Sequence, residues 1–351
     1  FTEPDNDPFR VGRDALDFHN TDQGNTTLLV DWRLGEFTLH SVTGWISTDD
    51  WIASDFDQTE VPFFPTFRDQ VHDQFSQEIR LQSDFSGRSG FLGNLDFVVG
   101  LFYFEQEHEL TQAFPTLPAG ASSADYTTQD GDSRAVFGQA IYAINDRLNV
   151  TLGSRYTKEK KDFGRNPFIL FAGPDRILAQ DPSTVPRLGF MSQFPLTLTG
   201  KLDSSKTTYQ LAFDYRFTDD ILGFVSYNTG FKAGEFGARA SLPETVGPTD
   251  DESAESYEIG VKSEWLDGRL RANATIFHTV FQDLTFGVFI PSPVGTGQET
   301  IAENIGESTN QGVELELQAV PLDGLTLQAS VGYLDSQYDK FCADINGAQT
   351  Y

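Results

Sequence analysis

In the stretch EWLDGRLRANATIF (Glu264–Phe277) an Asp-Gly pair separates two runs of alternating side chains. Before it, Tyr257, Ile259, Val261, Ser263 and Trp265 take one face of an extended chain, and Glu258, Lys262 and Glu264 take the other. After it, Leu270, Ala272, Ala274 and Ile276 alternate with Arg271, Asn273 and Thr275. A period of two marks a strand with one apolar face, and Asp-Gly between two such runs is the strongest short-range hairpin signal. The device returns at VPLDGLTLQASVGY (Val320–Tyr333) and, in weaker form, at INDRL and FTDDIL.

Outward from that hairpin the pattern repeats. YQLAFDYRF (Tyr209–Phe217), LNVTLGSRY (Leu148–Tyr156) and VELELQA (Val313–Ala319) alternate in the same way. Twelve such runs fall near 26–34, 36–47, 72–84, 92–108, 132–144, 147–161, 204–217, 220–232, 253–265, 268–286, 307–319 and 324–340, with no helix between them. Most reach or pass the 9–11 residues that a tilted membrane-spanning strand needs.

The connections alternate in length. Short turns fall at Leu34–Glu36, Ser83–Leu92, Ile144–Arg147, Phe217–Asp220, Trp265–Gly268 and Val320–Gly324. Long ones fall at Thr48–Val71, Glu109–Gly131, Lys161–Asp203, Ala233–Glu252 and Gly287–Glu307. Short turns on one rim and long loops on the other are the plan of an outer-membrane barrel. In hydrocarbon every backbone N–H and C=O must be paired internally, so such a sheet spans the membrane only by closing. The apolar face then meets lipid, and Arg155, Asp214, Arg216, Glu258, Lys262, Glu314 and Glu316 face a polar lumen. Aromatics at run ends (Trp32, Trp45, Tyr156, Phe217, Phe231, Trp265, Phe286, Tyr338 and Phe341) fit girdles at the two membrane interfaces.

Composition agrees. The 351 residues carry 24 basic and 52 acidic side chains, a formal charge of −28, which disfavours nucleic acid as a partner. A single cysteine, Cys342, excludes an internal disulfide and a Cys-based zinc cluster. Aromatics reach 13%, led by 31 Phe, a bias toward strands rather than helix bundles. Residues 1–25 are polar and acidic, read as a lead-in rather than a signal peptide.

Several blocks resemble TonB-dependent outer-membrane receptors of Gram-negative bacteria, in the proteobacterial group described as iron-complex receptors. They are VDWRLGEFTLHSVTGW (Val30–Trp45), FSQEIRLQSD (Phe75–Asp84), FVVGLFYFEQE (Phe97–Glu107), AVFGQAIYAINDRLNVTLGSRYTKEKKDF (Ala135–Phe163), FVSYNTGFKAGEF (Phe224–Phe236), the opening hairpin, and QGVELELQAVPLDGLTLQASVGYLDSQYDKF (Gln311–Phe341). The resemblance implies an all-β, antiparallel up-and-down transmembrane barrel of 22 strands filled by a plug domain. This chain would supply about twelve strands over residues 26–341, with no plug, and residues 342–351 would begin an external loop. It also implies import of a scarce nutrient such as a ferric siderophore, energised by the TonB complex, with no covalent chemistry and no cofactor. Three other readings stay open: a complete twelve-stranded channel or lipid hydrolase, a receptor for an oligosaccharide or other non-iron ligand, and a soluble all-β binding protein.

The resemblance places ligand contacts on long external loops, where the candidate rings are Trp51, Phe56, Phe63, Phe64, Phe67, Phe168, Phe171, Phe190 and Phe194. Such rings either stack on a small-molecule ligand or pack the loops into a cap. TKEKKD (Thr157–Asp162) is placed where a strand leaves the outer leaflet, so its lysines either meet lipopolysaccharide phosphates beside the membrane lipid or stay solvated. His19, His40, His72, His108 and His278 are scattered, without metal-ligand spacing. Asp250, Asp251 and Glu252 form either a cation site or part of an acidic loop.

Overall fold

The computed structural model describes residues 17–55, 65–85, 90–114, 122–170, 198–238, 243, 245–291 and 298–341. They form one sheet of twelve antiparallel strands in sequence order. The strands are β1 (Phe18–Leu34), β2 (Phe37–Asp55), β3 (Pro65–Ser83), β4 (Leu95–Phe114), β5 (Ser122–Asn145), β6 (Leu148–Leu170), β7 (Leu198–Thr218), β8 (Ile221–Lys232), β9 (Glu252–Trp265), β10 (Leu270–Pro291), β11 (Gln298–Leu322) and β12 (Leu325–Phe341). Each pairs with the next, and β1 and β12 are the two edges, so the sheet is open. Among the described residues β1 and β12 do not pair with each other.

The tight turns lie on one rim, as the alternation of lengths requires. Gly324 has φ +87°, a left-handed conformation that only glycine adopts without steric cost. The opening hairpin is a longer variant: Trp265 pairs with Leu270, and Leu266, Asp267 and Gly268 are all left-handed. Where no glycine is present, a side chain closes the turn. Asn145 Oδ1 accepts hydrogen bonds from the Arg147 and Leu148 amides, at 2.9 and 3.0 Å.

Register assembles the apolar faces into one surface. Leu95, Tyr142, Val150, Phe213, Val225, Ile259, Ile276, Val313 and Tyr333 are successive cross-strand partners from β4 to β12. This face is the exposed one: Leu152, Ile259 and Ile276 are 58%, 57% and 56% accessible. The polar face is the shielded one, with positions 256, 258 and 260 of β9 half-buried while 255, 257, 259 and 261 are exposed. A protein folded for water reverses this assignment. A barrel wall in lipid requires it.

Aromatic rings bound the belt. Trp45 lies 5.5 Å from Phe75, Phe75 6.2 Å from Tyr103, and Tyr227 4.9 Å from Tyr257, on the side of the long loops. On the turn side Tyr215 meets Phe217 at 4.9 Å. Trp32, Trp45, Tyr156, Phe217 and Trp265 are exposed, as rings of a girdle would be. Phe286, Tyr338 and Phe341 cluster with one another at 5.1–5.7 Å, farther up β10 and β12. β5 runs for 24 residues and β11 for 25, well past the belt, so the end of a strand is not the edge of the membrane.

Candidate functional site

The polar face of the sheet is an inner wall. One row crosses nearly all of it through register partners: Thr38, Gln82, Val98, Gln139, Gly153, Gln210, Asn228, Ser256, Thr279, Asn310 and Ser336. Neighbours along it hydrogen-bond. The Gln139 amide donates to Gln210 at 3.0 Å, Ser256 and Thr279 share a bond of 2.9 Å, and the Ser336 hydroxyl donates to Asn310 at 2.5 Å. Below the row Asn273 donates to Glu316 at 3.2 Å, and Arg271 reaches Glu264 at 2.5 and 3.0 Å. Such a surface presents donors and acceptors to whatever fills the lumen.

The wall also carries rings. Arg155 lies over Phe102 and Phe137, at 5.1 and 5.4 Å from their centroids, and Lys262 lies 5.6 Å from that of Phe224. Glycines on adjacent strands make room for these rings. A Cβ at Gly260 would stand 2.5 Å from Phe224, whereas one at Gly312 would meet the Tyr333 backbone carbonyl before it reached Phe277. The rule that rings face lipid and polar groups face inward is thus incomplete.

Above the belt the segment between β8 and β9 folds against the inner face. Phe236 stacks on Phe163 of β6 at 5.1 Å, and with Leu198 and Val246 they form a small buried core. Lys161 donates to the Gly234 carbonyl at 3.0 Å, and Ser204 donates to Asp251 at 2.6 Å. On the far side the Asp250 amide donates to Asn304 of β11 at 2.7 Å. The segment is therefore tied to β6, β7 and β11. Asp251 also accepts from the Gly234 amide, and Glu252 is engaged by Lys232, so both carboxylates are tied into the fold.

Burial alone would raise the Glu252 carboxyl. Lys232 at 3.1 Å and the Thr285 amide at 3.1 Å outweigh it and hold the group below the usual carboxylate range. A depressed folded-state pKa stabilises above the unfolded value, about 4.3, and that contribution is lost as pH falls through the lower folded value. Urea unfolding in lipid should therefore show Glu252→Gln less stable than the parent at pH 7, the gap closing in acid. A gap that is unchanged at pH 3 contradicts this.

An exposed apolar belt, a polar shielded wall and long strands rising above the belt on the loop side are now in place. Over residues 2–350 the chain matches the family model described as TonB dependent receptor-like, beta-barrel. The chain belongs to that family. It is 30% identical over 147 residues to the probable TonB-dependent siderophore receptor PiuA of Acinetobacter baumannii, covering 40% of this chain and 19% of that protein. The crystal structure of the ferric yersiniabactin uptake receptor FyuA from Yersinia pestis superposes with a TM-score of 0.71 at 18% identity, covering 93% of this chain and 44% of FyuA. The crystal structure of PiuA from A. baumannii gives 0.67 at 18%, covering 96% and 50%. The chain thus spans no more than half the length of these proteins. Members of this family are outer-membrane receptors and transporters of Gram-negative bacteria.

Within this TonB-dependent receptor barrel, Arg155, Asp214, Arg216, Glu258, Lys262, Glu314 and Glu316 share the inner face, as register requires. The loop rings fare differently. Trp51 lies in β2, Phe67 in β3 and Phe168 in β6, all inside strands rather than loops. No register shift separates Trp51 from Trp45, or Phe67 from Phe75, so both keep to the outer face, where Trp51 meets Phe18 at 4.6 Å. The strands continue there through unbroken backbone pairing, and the polar residues on both faces above the belt leave no apolar alternation to reveal it in the sequence. Phe56, Phe63, Phe64, Phe171, Phe190 and Phe194 lie outside the described residues.

Proposed function

We propose that this chain is the wall of a receptor that captures a ferric siderophore outside the cell and passes it inward through its lumen, with energy delivered through TonB. The observation that carries this reading is the inverted sheet: an apolar exposed face, and a shielded face rich in amides, hydroxyls and ion pairs. A wall of that kind guides a polar, bulky solute, and relatives whose names record siderophore uptake supply the solute class. The extracellular ligand would be taken first by the rings of the long loops, Phe56, Phe63, Phe64, Phe171, Phe190 and Phe194. Lys158 and Lys160, on the outer face just beyond Tyr156, would meet lipopolysaccharide phosphates at the rim of the lipid.

The test is transport by the full-length receptor in a strain stripped of its own iron-complex receptors. Radiolabelled iron offered as ferric catecholate or hydroxamate should enter the cells, and deletion of TonB should abolish entry. Entry that survives the deletion, or a purified receptor that binds no ferric siderophore, overturns the reading.

A further inference from the structure

Three of the five histidines are engaged by polar neighbours. His19 lies 3.4 Å from Asp50, His40 2.5 Å from Asp31, and His278 3.4 Å from Gln311. His72 and His108 are different. They are direct register partners on β3 and β4, on the inner face, above the rings of Phe75 and Tyr103. Their centroids are 5.9 Å apart and their planes meet at 60°. Among the described residues neither ring has a hydrogen-bond partner. Thr48 and Gln129 flank the pair, and Gln70, Gln74 and Gln106 lie one step above and below it. The nearest diagonal carboxylate, Asp50, is held by His19.

Two imidazoles that are direct cross-strand partners and make no hydrogen bond are placed to share a metal ion. A metal–nitrogen bond of about 2.1 Å sets each ring centroid about 3.2 Å from a shared ion, so the centroids lie about 5.2 Å apart at a tetrahedral angle and about 6.4 Å apart when opposed. The observed 5.9 Å falls inside that range. No third His, Cys, Asp or Glu completes a cluster among the described residues, so the other coordination positions stay open to water or to donors borne by a solute.

We propose that His72 and His108 form a two-nitrogen site for a divalent first-row transition ion on the inner wall above the belt, with Cu2+ held most tightly. The site rests on this pair alone and stands or falls independently of the siderophore reading.

The test uses the full-length receptor in detergent, titrated with Cu2+ alone and followed by calorimetry and electron paramagnetic resonance. Wild type should show a tight site with the nitrogen splitting of two imidazoles. His72→Gln and His108→Gln should each weaken it at least tenfold, and the double variant should lose the splitting. His278→Gln, on the outer face of β10, should leave it unchanged. Heat-modifiable gel migration checks that each variant is folded. Cu2+ should also protect both imidazoles of the wild type from diethyl pyrocarbonate, a readout that needs no variant. Retained splitting in the folded double variant, the splitting of a single imidazole in wild type, or absence of protection overturns the site.

Discussion

Leu152→Arg should destabilise the receptor refolded in lipid by about 2–4 kcal/mol, the cost of placing an arginine at the middle of a lipid-facing strand. Leu152 lies midway along the outer face between Leu148 and Tyr156, is 58% accessible, and faces Ala140 and Leu211 on the adjacent strands. Neither cross-strand neighbour is acidic, so the guanidinium must stretch toward either rim or draw water into the bilayer. The same change on a surface facing water stays within about 0.5 kcal/mol. Ser226→Arg is the control: it inserts the same group on the inner face, opposite Glu258, and should cost less than about 1 kcal/mol. Urea titration in lipid vesicles reads both. Equal costs, or the larger one at Ser226, would show that the two faces have been assigned the wrong way round.

That sidedness was legible in the sequence because it depends on a period of two and nothing else. Tyr209, Leu211, Phe213 and Tyr215 fall on one side of β7 whatever its neighbours do, and register then carries the choice to β6 and β8. The tight turns were legible for a related reason, since Asp323-Gly324 and Asn145 state their conformations locally. Strand ends were not. In SSADYTTQDGDSR (Ser122–Arg134) both faces are polar, so nothing marks where β5 stops, and residues taken for a loop are paired with β4 and β6 instead. Trp51 and Phe67 were misplaced by the same silence.

The inner rings were hidden for another reason. Phe102, Phe137, Phe224 and Phe277 sit in the polar phase of their strands, and what permits each lies elsewhere in the chain. Phe224 is accommodated by Gly260 and Phe137 by Gly100, each glycine on a different strand from its ring. A glycine in the inward phase of one strand and a phenylalanine in the inward phase of its neighbour is the signal that could have been read. It becomes readable only once the register is known. The His72–His108 pair was concealed in the same way, two scattered residues in sequence that become direct partners across β3 and β4.

Gly100 and Phe137 allow that pairing to be measured. A Cβ at Gly100 would overlap the Phe137 ring, with Cε1 and Cε2 at 2.8 and 2.9 Å, and no backbone atom is among its closest neighbours. The Arg155 guanidinium lies over the same ring at 5.4 Å, so the ring cannot turn aside without giving up that contact. Gly100→Ala should therefore cost about 1–3 kcal/mol through overpacking. In a Phe137→Ala background the obstruction is gone, and only the entropic benefit of removing a glycine remains, about 0.4–1 kcal/mol in favour of the folded state. The cost should vanish or change sign, giving a coupling at the upper end of what contacting residues show. Gly230→Ala is the control, because its Cβ would meet only Ala254 at 4.0 Å, and it should be neutral or mildly stabilising. If Gly100→Ala costs the same with and without the ring, the glycine is kept for its backbone rather than for Phe137, and the ring–glycine joint is not what holds the inner wall together at this point.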